Sequence, residues 1–199
     1  DDAHIFISQD QVESEFQKIM EMIEILYNAF GLKYRLRYGT RPDNFMGDAK
    51  DWDIAEKSLR EVLVKSGQEF IEVEREGAFY GPKIDILMKD SLGREWQTGT
   101  IQLDFQQPKN FKLNYTNNEG KEVTPAVVHR AMFGSFERFL GILVEHYAGA
   151  FPLWLSPVQM AVLPISDAVL DYAKDITSEL KNSGIRVEFD ASSQTLGNK

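Results

Sequence analysis

The chain has 199 residues, 43 % hydrophobic and 27 % charged, which is too apolar for intrinsic disorder, while no run approaches the roughly 20 apolar residues of a membrane helix. Its 22 basic and 31 acidic residues leave a formal net charge of −9, so bulk charge does not attract a polyanion and any nucleic-acid contact needs a local basic surface or other domains. It contains no cysteine, which excludes disulfides, restricts a zinc site within these residues to His, Asp and Glu, and agrees with a reducing cytoplasm.

The opening Asp1-Asp2-Ala3-His4 has neither the basic region nor the apolar core of a signal peptide. After a short run, His4-Ile5-Phe6-Ile7, Ser8 and Gln11 have the spacing of a capping box. Val12, Phe16, Ile19, Met20, Ile23, Tyr27 and Phe30 then recur every three or four residues, predicting an amphipathic helix over 9–30 that Gly31 ends. Tyr34, Leu36 and Tyr38 share one face of a half-buried strand. Beyond the Arg41-Pro42 loop, Trp52, Ala55, Leu59, Val62 and Leu63 define a helix near 49–65. Residues 70–73 read as a strand, and Gly77 and Gly81-Pro82 bracket a turn. Ile84, Ile86 and Met88 alternate with Lys83, Asp85 and Leu87, and Ser91-Leu92-Gly93 turns the chain into a strand through Trp96, Thr98 and Thr100. From residue 70 onward this texture predicts that antiparallel meanders, rather than βαβ units, dominate. Residues 107–124 read as a hairpin loop turning at Asn117-Asn118-Glu119-Gly120, and Ala126-Val127-Val128 leads into a helix near 134–147.

Gly, Pro and Ser cluster between Gly149 and Pro157, which marks a boundary. Beyond it a strand (158–163), a helix (166–182) and a strand (185–189) begin an α/β unit that is expected to be incomplete. The predicted fold class is α/β (α+β): over residues 1–150 an antiparallel sheet flanked by helices, over 151–199 a truncated α/β domain.

Chemistry concentrates in Phe133-Gly134-Ser135-Phe136-Glu137-Arg138-Phe139. Helical spacing puts Phe136, Phe139, Leu140 and Leu143 on a buried stripe. An arginine in the first turn opposes the helix dipole but suits an anion, because N–H groups and a guanidinium fork then converge on phosphate oxygens. Arg138 read alone is equally a surface arginine paired with a nearby glutamate. Two glutamines on strands, Gln97 and Gln102, are equally sheet-surface polars, and a lone histidine is more often a packed residue than a ligand.

The longer blocks narrow these alternatives. The stretch ending in Glu137-Arg138 resembles motif 3 of the class II aminoacyl-tRNA synthetases. Val128-His129-Arg130-Ala131-Met132-Phe133-Gly134-Ser135-Phe136-Glu137-Arg138-Phe139 resembles the threonine-specific branch. So do Asp1-Asp2-Ala3-His4-Ile5-Phe6, Gly77-Ala78-Phe79-Tyr80-Gly81-Pro82-Lys83 and Trp96-Gln97-Thr98-Gly99-Thr100-Ile101-Gln102-Leu103-Asp104-Phe105. The blocks occur in the family's order over about two-thirds of the chain, and the tail from Pro152 resembles the start of an anticodon-binding domain.

The resemblance implies ATP-dependent activation of threonine and its transfer to the 3′ end of tRNA(Thr), with Mg²⁺ accompanying ATP. It implies a cytoplasmic enzyme that is a homodimer when complete and has no membrane partner. Arg138 is expected at the γ-phosphate, Gln97 at the ribose, Asp2 and Tyr80 at the substrate ammonium, and Gln102 near the amino acid and the tRNA end. His4 and His129 stand where the family holds a catalytic Zn²⁺, with a third ligand, a Cys, expected upstream; His146 matches no such position. An open Zn²⁺ that accepts the amino and hydroxyl groups of threonine rejects valine. Serine differs by one methyl, worth only about 1–3 kcal/mol, and the family edits it in a separate domain. The motif 2 arginine, the adenine-stacking aromatic and the dimer-forming motif 1 are expected before Asp1, so the residues alone are expected to be inactive. The competing expectations are a non-catalytic paralogue that binds tRNA or a protein, and a class II synthetase for another amino acid.

Overall fold

In the computed structural model, which describes all residues Asp1–Lys199, the main unit comprises Asp1–Glu145. It begins with strand β1 (Ala3–Ile7). The Gln11 side-chain oxygen accepts the Ser8 N–H at 3.0 Å, which closes a 3₁₀ turn over Gln9–Gln11 and launches α1 (Val12–Ala29). The expected helix over 9–30 is therefore α-helical only from Val12, and its stripe of Val12, Phe16, Ile19, Met20, Ile23 and Tyr27 is buried. Strand β2 (Tyr34–Gly39), helix α2 (Ala49–Ser66) and strand β3 (Phe70–Val73) follow. Helix α2 stops at Gly67, whose φ of +67° is the left-handed cap conformation that glycine adopts freely.

Strands β4 (Lys83–Lys89) and β5 (Glu95–Asp104) form a hairpin. The short helix α3 (Gln106–Asn110), the small ribbon β6 (Tyr115–Thr116) and β7 (Glu122–Val123), strand β8 (Ala126–Ala131) and helix α4 (Phe136–His146) come next. Six strands make one sheet in the order β1-β8-β5-β4-β2-β3. Every pairing in it is antiparallel except β2 with β3, which run parallel.

The antiparallel pairing expected to dominate from residue 70 onward holds for β4, β5 and β8, and the exception is β3, which pairs with the strand before it. β2, α2 and β3 form a βαβ crossover, because a helix of 18 residues carries the chain back to the end where β2 began. The loop expected over 107–124 also contains a helical turn, α3, whose first N–H groups, those of Gln106 and Gln107, are accepted by Asp104 Oδ1 at 2.8 and 2.9 Å.

The core lies against the helical face of the sheet. Trp52, Tyr27, Tyr38, Phe16 and Leu59 are fully buried with Ile84, Ile86 and Ile101, each large side chain contributing about 1.5–3 kcal/mol of apolar burial. Phe30, Phe133 and Phe139 stack at centroid separations of 4.3–5.8 Å and anchor α4. The buried face of α4 is Phe139, Ile142 and Leu143, whereas Phe136 and Leu140 are exposed, at 77 % and 46 %. The expected stripe is thus rotated toward Ile142, because the aromatic cluster seizes Phe139 and each residue turns the helix by about 100°.

The second unit, His146–Lys199, pairs β9 (Met160–Val162) in parallel with β10 (Val187–Phe189). Helix α5 (Leu170–Asn182) connects them, the β-α-β order expected from the sequence. Arg186 secures its loop by donating to the Trp154 and Ser156 carbonyls at 2.8 and 2.9 Å.

Candidate functional site

The sheet face opposite the core carries two rows of polar side chains set by strand register. Lys83 on β4, Gln102 on β5, His129 on β8 and His4 on β1 are successive cross-strand partners. At about 4.8 Å per strand this row spans about 14 Å. A second row runs Arg37, Asp85, Thr100 and Ala131.

His4 and His129 face each other as direct partners, their rings edge to face with centroids 4.8 Å apart. His129 Nε2 lies 2.9 Å from Asp104 Oδ2, and the Asp104 side chain is fully buried. Tyr80 flanks the same imidazole at 5.2 Å and donates its hydroxyl hydrogen to Gln102 Oε1. Burial pushes the Tyr80 phenol up, and the Asp104 and Asp2 carboxylates push it further, so it remains a neutral donor at physiological pH.

Glycine positions that tyrosine. A Cβ on Gly81 would fall 1.8 Å from the Leu103 carbonyl oxygen, so only a residue without one lets the turn lie flat on β5. Leu103 N–H also donates to the Pro82 carbonyl at 3.2 Å, and Tyr80, one residue before the glycine, is held over Gln102.

The second row is organised by Asp85, fully buried although it sits on a polar face. Its Oδ2 accepts Arg37 Nη2 at 2.8 Å, Arg37 Nε at 3.2 Å and Lys83 Nζ at 2.9 Å. Its Oδ1 accepts Gln97 Nε2 at 2.9 Å and Thr100 Oγ1 at 3.1 Å. Positions 97 and 100 have opposite parity and would occupy opposite faces of a regular strand. They share one face because the β4–β5 register shifts between Ile86 and Leu87, where Ile86 pairs with Gly99 but Leu87 pairs with Gln97. The additional residue, Thr98, turns into the core, where its hydroxyl meets Tyr27 Oη at 2.6 Å.

Arg138 lies in the first turn of α4, where its backbone N–H donates to Ser135 Oγ at 3.1 Å. Its Nη2 donates to the Gln97 carbonyl at 2.7 Å, its guanidinium carbon stands 5.9 Å from the Trp96 ring centroid, and its Nε is buried without a partner. Gly134, at φ +71°, accommodates this approach: a Cβ there would be 2.7 Å from both Arg138 Nη2 and the Thr98 oxygen.

Of the residues singled out in the sequence, His4, His129, Tyr80 and Gln102 therefore form one cluster. Gln97 belongs to the neighbouring Asp85 group, and Arg138 meets Gln97 through its backbone. Asp2 is near enough to act on Tyr80 electrostatically. Asp85, Asp104, Arg37 and Thr100 were missed. Nothing local marks them, since each acquires its partner across strands.

No three His, Cys, Asp or Glu side chains converge on a common point. Paired imidazoles with a carboxylate behind one of them nevertheless suit a borderline metal such as Zn²⁺, which would draw a further ligand from outside these residues.

Residues 1–147 match the family model described as the tRNA synthetase class II core domain (G, H, P, S and T). The chain belongs to the class II tRNA synthetases. Residues 159–199 match the family model of an anticodon binding domain. Among curated class II relatives, the threonine–tRNA ligase of Clostridium tetani is 48 % identical over all 199 residues, and that of Acetivibrio thermocellus 49 %. The chain spans 31 % of the length of each. A solved structure titled the RNA binding domain of threonyl-tRNA synthetase from Cryptosporidium parvum superposes with a TM-score of 0.93 at 40 % identity, covering the whole of this chain and 50 % of that one. Giardia lamblia prolyl-tRNA synthetase, at 17 % identity and a TM-score of 0.63 over 99 % of this chain and 36 % of its own, shares the fold.

Proposed function

We propose that these residues are part of a threonine–tRNA ligase that forms threonyl-adenylate from threonine and ATP and transfers the threonyl group to the 3′ end of tRNA(Thr). The observation that carries this reading is the row of Gln102, His129 and His4, with Tyr80 above it, in a chain whose threonine–tRNA ligase relatives match along its full length. Residues 1–150 are assigned to the catalytic domain and 151–199 to the start of the anticodon-binding domain. The complete protein is proposed to be a cytoplasmic homodimer; no helix here is long and apolar enough to cross a membrane.

In the first step a threonine carboxylate oxygen attacks the α-phosphorus of ATP and the bond to pyrophosphate breaks. In the second, a terminal tRNA hydroxyl attacks the adenylate carbonyl and AMP leaves. The protein's task in both is orientation and charge neutralisation. Arg138 would meet the γ-phosphate, with Mg²⁺ on the same nucleotide, and Gln97 the ribose. Asp2 and the neutral Tyr80 would hold the substrate ammonium, and Gln102 would lie between the amino acid and the tRNA end. His4 and His129 would hold Zn²⁺ together with an upstream Cys; when bound, the metal supplies coordination sites that fit an amino alcohol and exclude valine.

The test is pyrophosphate exchange in the complete protein, with metal content measured alongside. His129→Ala is expected to lose zinc and raise the KM for threonine. Arg138→Ala is expected to keep zinc and weaken ATP use at least tenfold, since a charge-assisted contact to phosphate is worth about 1.5–3 kcal/mol. Exchange driven by serine or proline instead of threonine, or no exchange at all, overturns the reading.

A further inference from the structure

We infer that Asp104 is a positioning residue that fixes which nitrogen of His129 is free to bind a metal, an inference that rests on the proposed zinc site. The Asp104 side chain is fully buried and both of its oxygens are engaged. One oxygen, Oδ1, is occupied by the Gln106 and Gln107 N–H groups at 2.8 and 2.9 Å. These two bonds lock the carboxylate plane, and Oδ2 then faces His129 Nε2 at 2.9 Å. An ionised carboxylate can only accept, so a bare nitrogen at that distance would set two lone pairs against each other. The proton of the neutral imidazole therefore resides on Nε2, and Nδ1 keeps the lone pair.

The consequence is specific. The ring facing His4 at 4.8 Å presents Nδ1 as its ligating atom, and the carboxylate behind it holds the orientation of the ligand. The start of α3 is thus a mechanical support for the site: the same aspartate begins the helix and orients the histidine.

The substitution Asp104→Asn separates these two roles. An amide oxygen can still accept the Gln106 and Gln107 N–H groups, so α3 keeps its start. The amide nitrogen, however, must then face His129 as a donor, which requires an acceptor at Nε2 and moves the imidazole proton to Nδ1. In the complete protein, competition titration of Zn²⁺ against a chromophoric chelator is expected to show affinity falling about 10–100-fold. The melting temperature of the metal-free protein and the KM for ATP should be unchanged. Zinc bound at wild-type affinity by Asp104→Asn, while His129→Ala loses it, overturns the inference and leaves the zinc site standing. Zinc retained by His129→Ala overturns both. Should Asp104→Asn fail to fold, a crystal structure of the zinc-loaded wild type decides: metal on Nδ1 of His129 supports the inference, and metal on Nε2 overturns it.

Discussion

Replacing Asp85 by alanine should be among the most damaging single changes to the main unit, although the residue lies on the polar face of the sheet. The carboxylate is fully buried and takes two bonds from Arg37 and one each from Lys83, Gln97 and Thr100. Truncation leaves Lys83, whose side chain is only 15 % exposed, as a cation without its counter-charge; Arg37 is 27 % exposed and keeps a bond to Gln97 Oε1 at 3.0 Å. Removing one partner of a buried ion pair costs about 3–5 kcal/mol. Asp85→Asn retains an acceptor for the cations and should cost about 1.5–3 kcal/mol, the range for a hydrogen bond to a charged group. As a control, Glu72 pairs with Arg60 at 3.1 Å in the open, with side chains 39 % and 60 % exposed, and Glu72→Ala should cost at most about 1 kcal/mol. Urea unfolding of the 199-residue chain, followed by tryptophan fluorescence, gives all three values. An Asp85→Ala loss no larger than that of Glu72→Ala would refute the argument that this carboxylate holds the second row together.

Two further outcomes follow from local chemistry. Burial alone would raise the Asp90 carboxyl, but the Trp96 indole N–H and the Arg94 side chain and backbone overcome it and hold the group at about 2, below its ordinary 3.8. The stability Asp90 contributes is therefore complete above about pH 4 and is lost as pH falls toward 2; the difference in urea midpoint between wild type and Asp90→Asn should shrink over that interval and stay constant above it. Gly134→Ala places a methyl 2.7 Å from the Thr98 oxygen and Arg138 Nη2 at a φ of +71°, so it should lower stability by about 1–3 kcal/mol. It should also loosen the Arg138–Gln97 contact, measurable as a rise in the KM for ATP of the complete protein.

Elements governed by local pattern were legible in the sequence. The α1 stripe from Val12 to Tyr27 and the α2 stripe from Trp52 to Leu63 are buried as their spacing requires. The turn at Ser91-Leu92-Gly93 closes with Gly93 at φ +79° and Asp90 Oδ1 capping Leu92 and Arg94. Elements governed by pairing were not. Periodicity locates β2 and β3 but says nothing of their direction, which the crossover through α2 makes parallel. Alternation in β4 assigns Asp85 to the polar face, but its complete burial comes from side chains on β2 and β5 that close over it. Phe136 obeyed the helical period and still lies in solvent, because the cluster of Phe30, Phe133 and Phe139 determines how α4 is turned. Motif blocks singled out His4, His129, Tyr80 and Gln102, which the fold brings into one cluster, whereas Asp104 escaped notice because its bond to His129 bridges 25 positions.

The bulge at Thr98 makes β5 a strand with two incompatible counts. Positions 100 and 102 reach the polar face by one parity and Gln97 by the other, with Glu95 beside it bonding Arg35 across the sheet at 2.7 Å. Deleting Thr98 would restore regular alternation without inverting the strand, since Gly99 would stay opposite Ile86 and Gln97 opposite Leu87; what would be lost is the hydroxyl that meets Tyr27 Oη in the core. The polar surface would keep Gln97 and Glu95, and the buried Tyr27 hydroxyl would be left with the Met132 carbonyl alone. The residue that the bulge adds is therefore used by the core and not by the polar surface, which reads the same pairs with or without it.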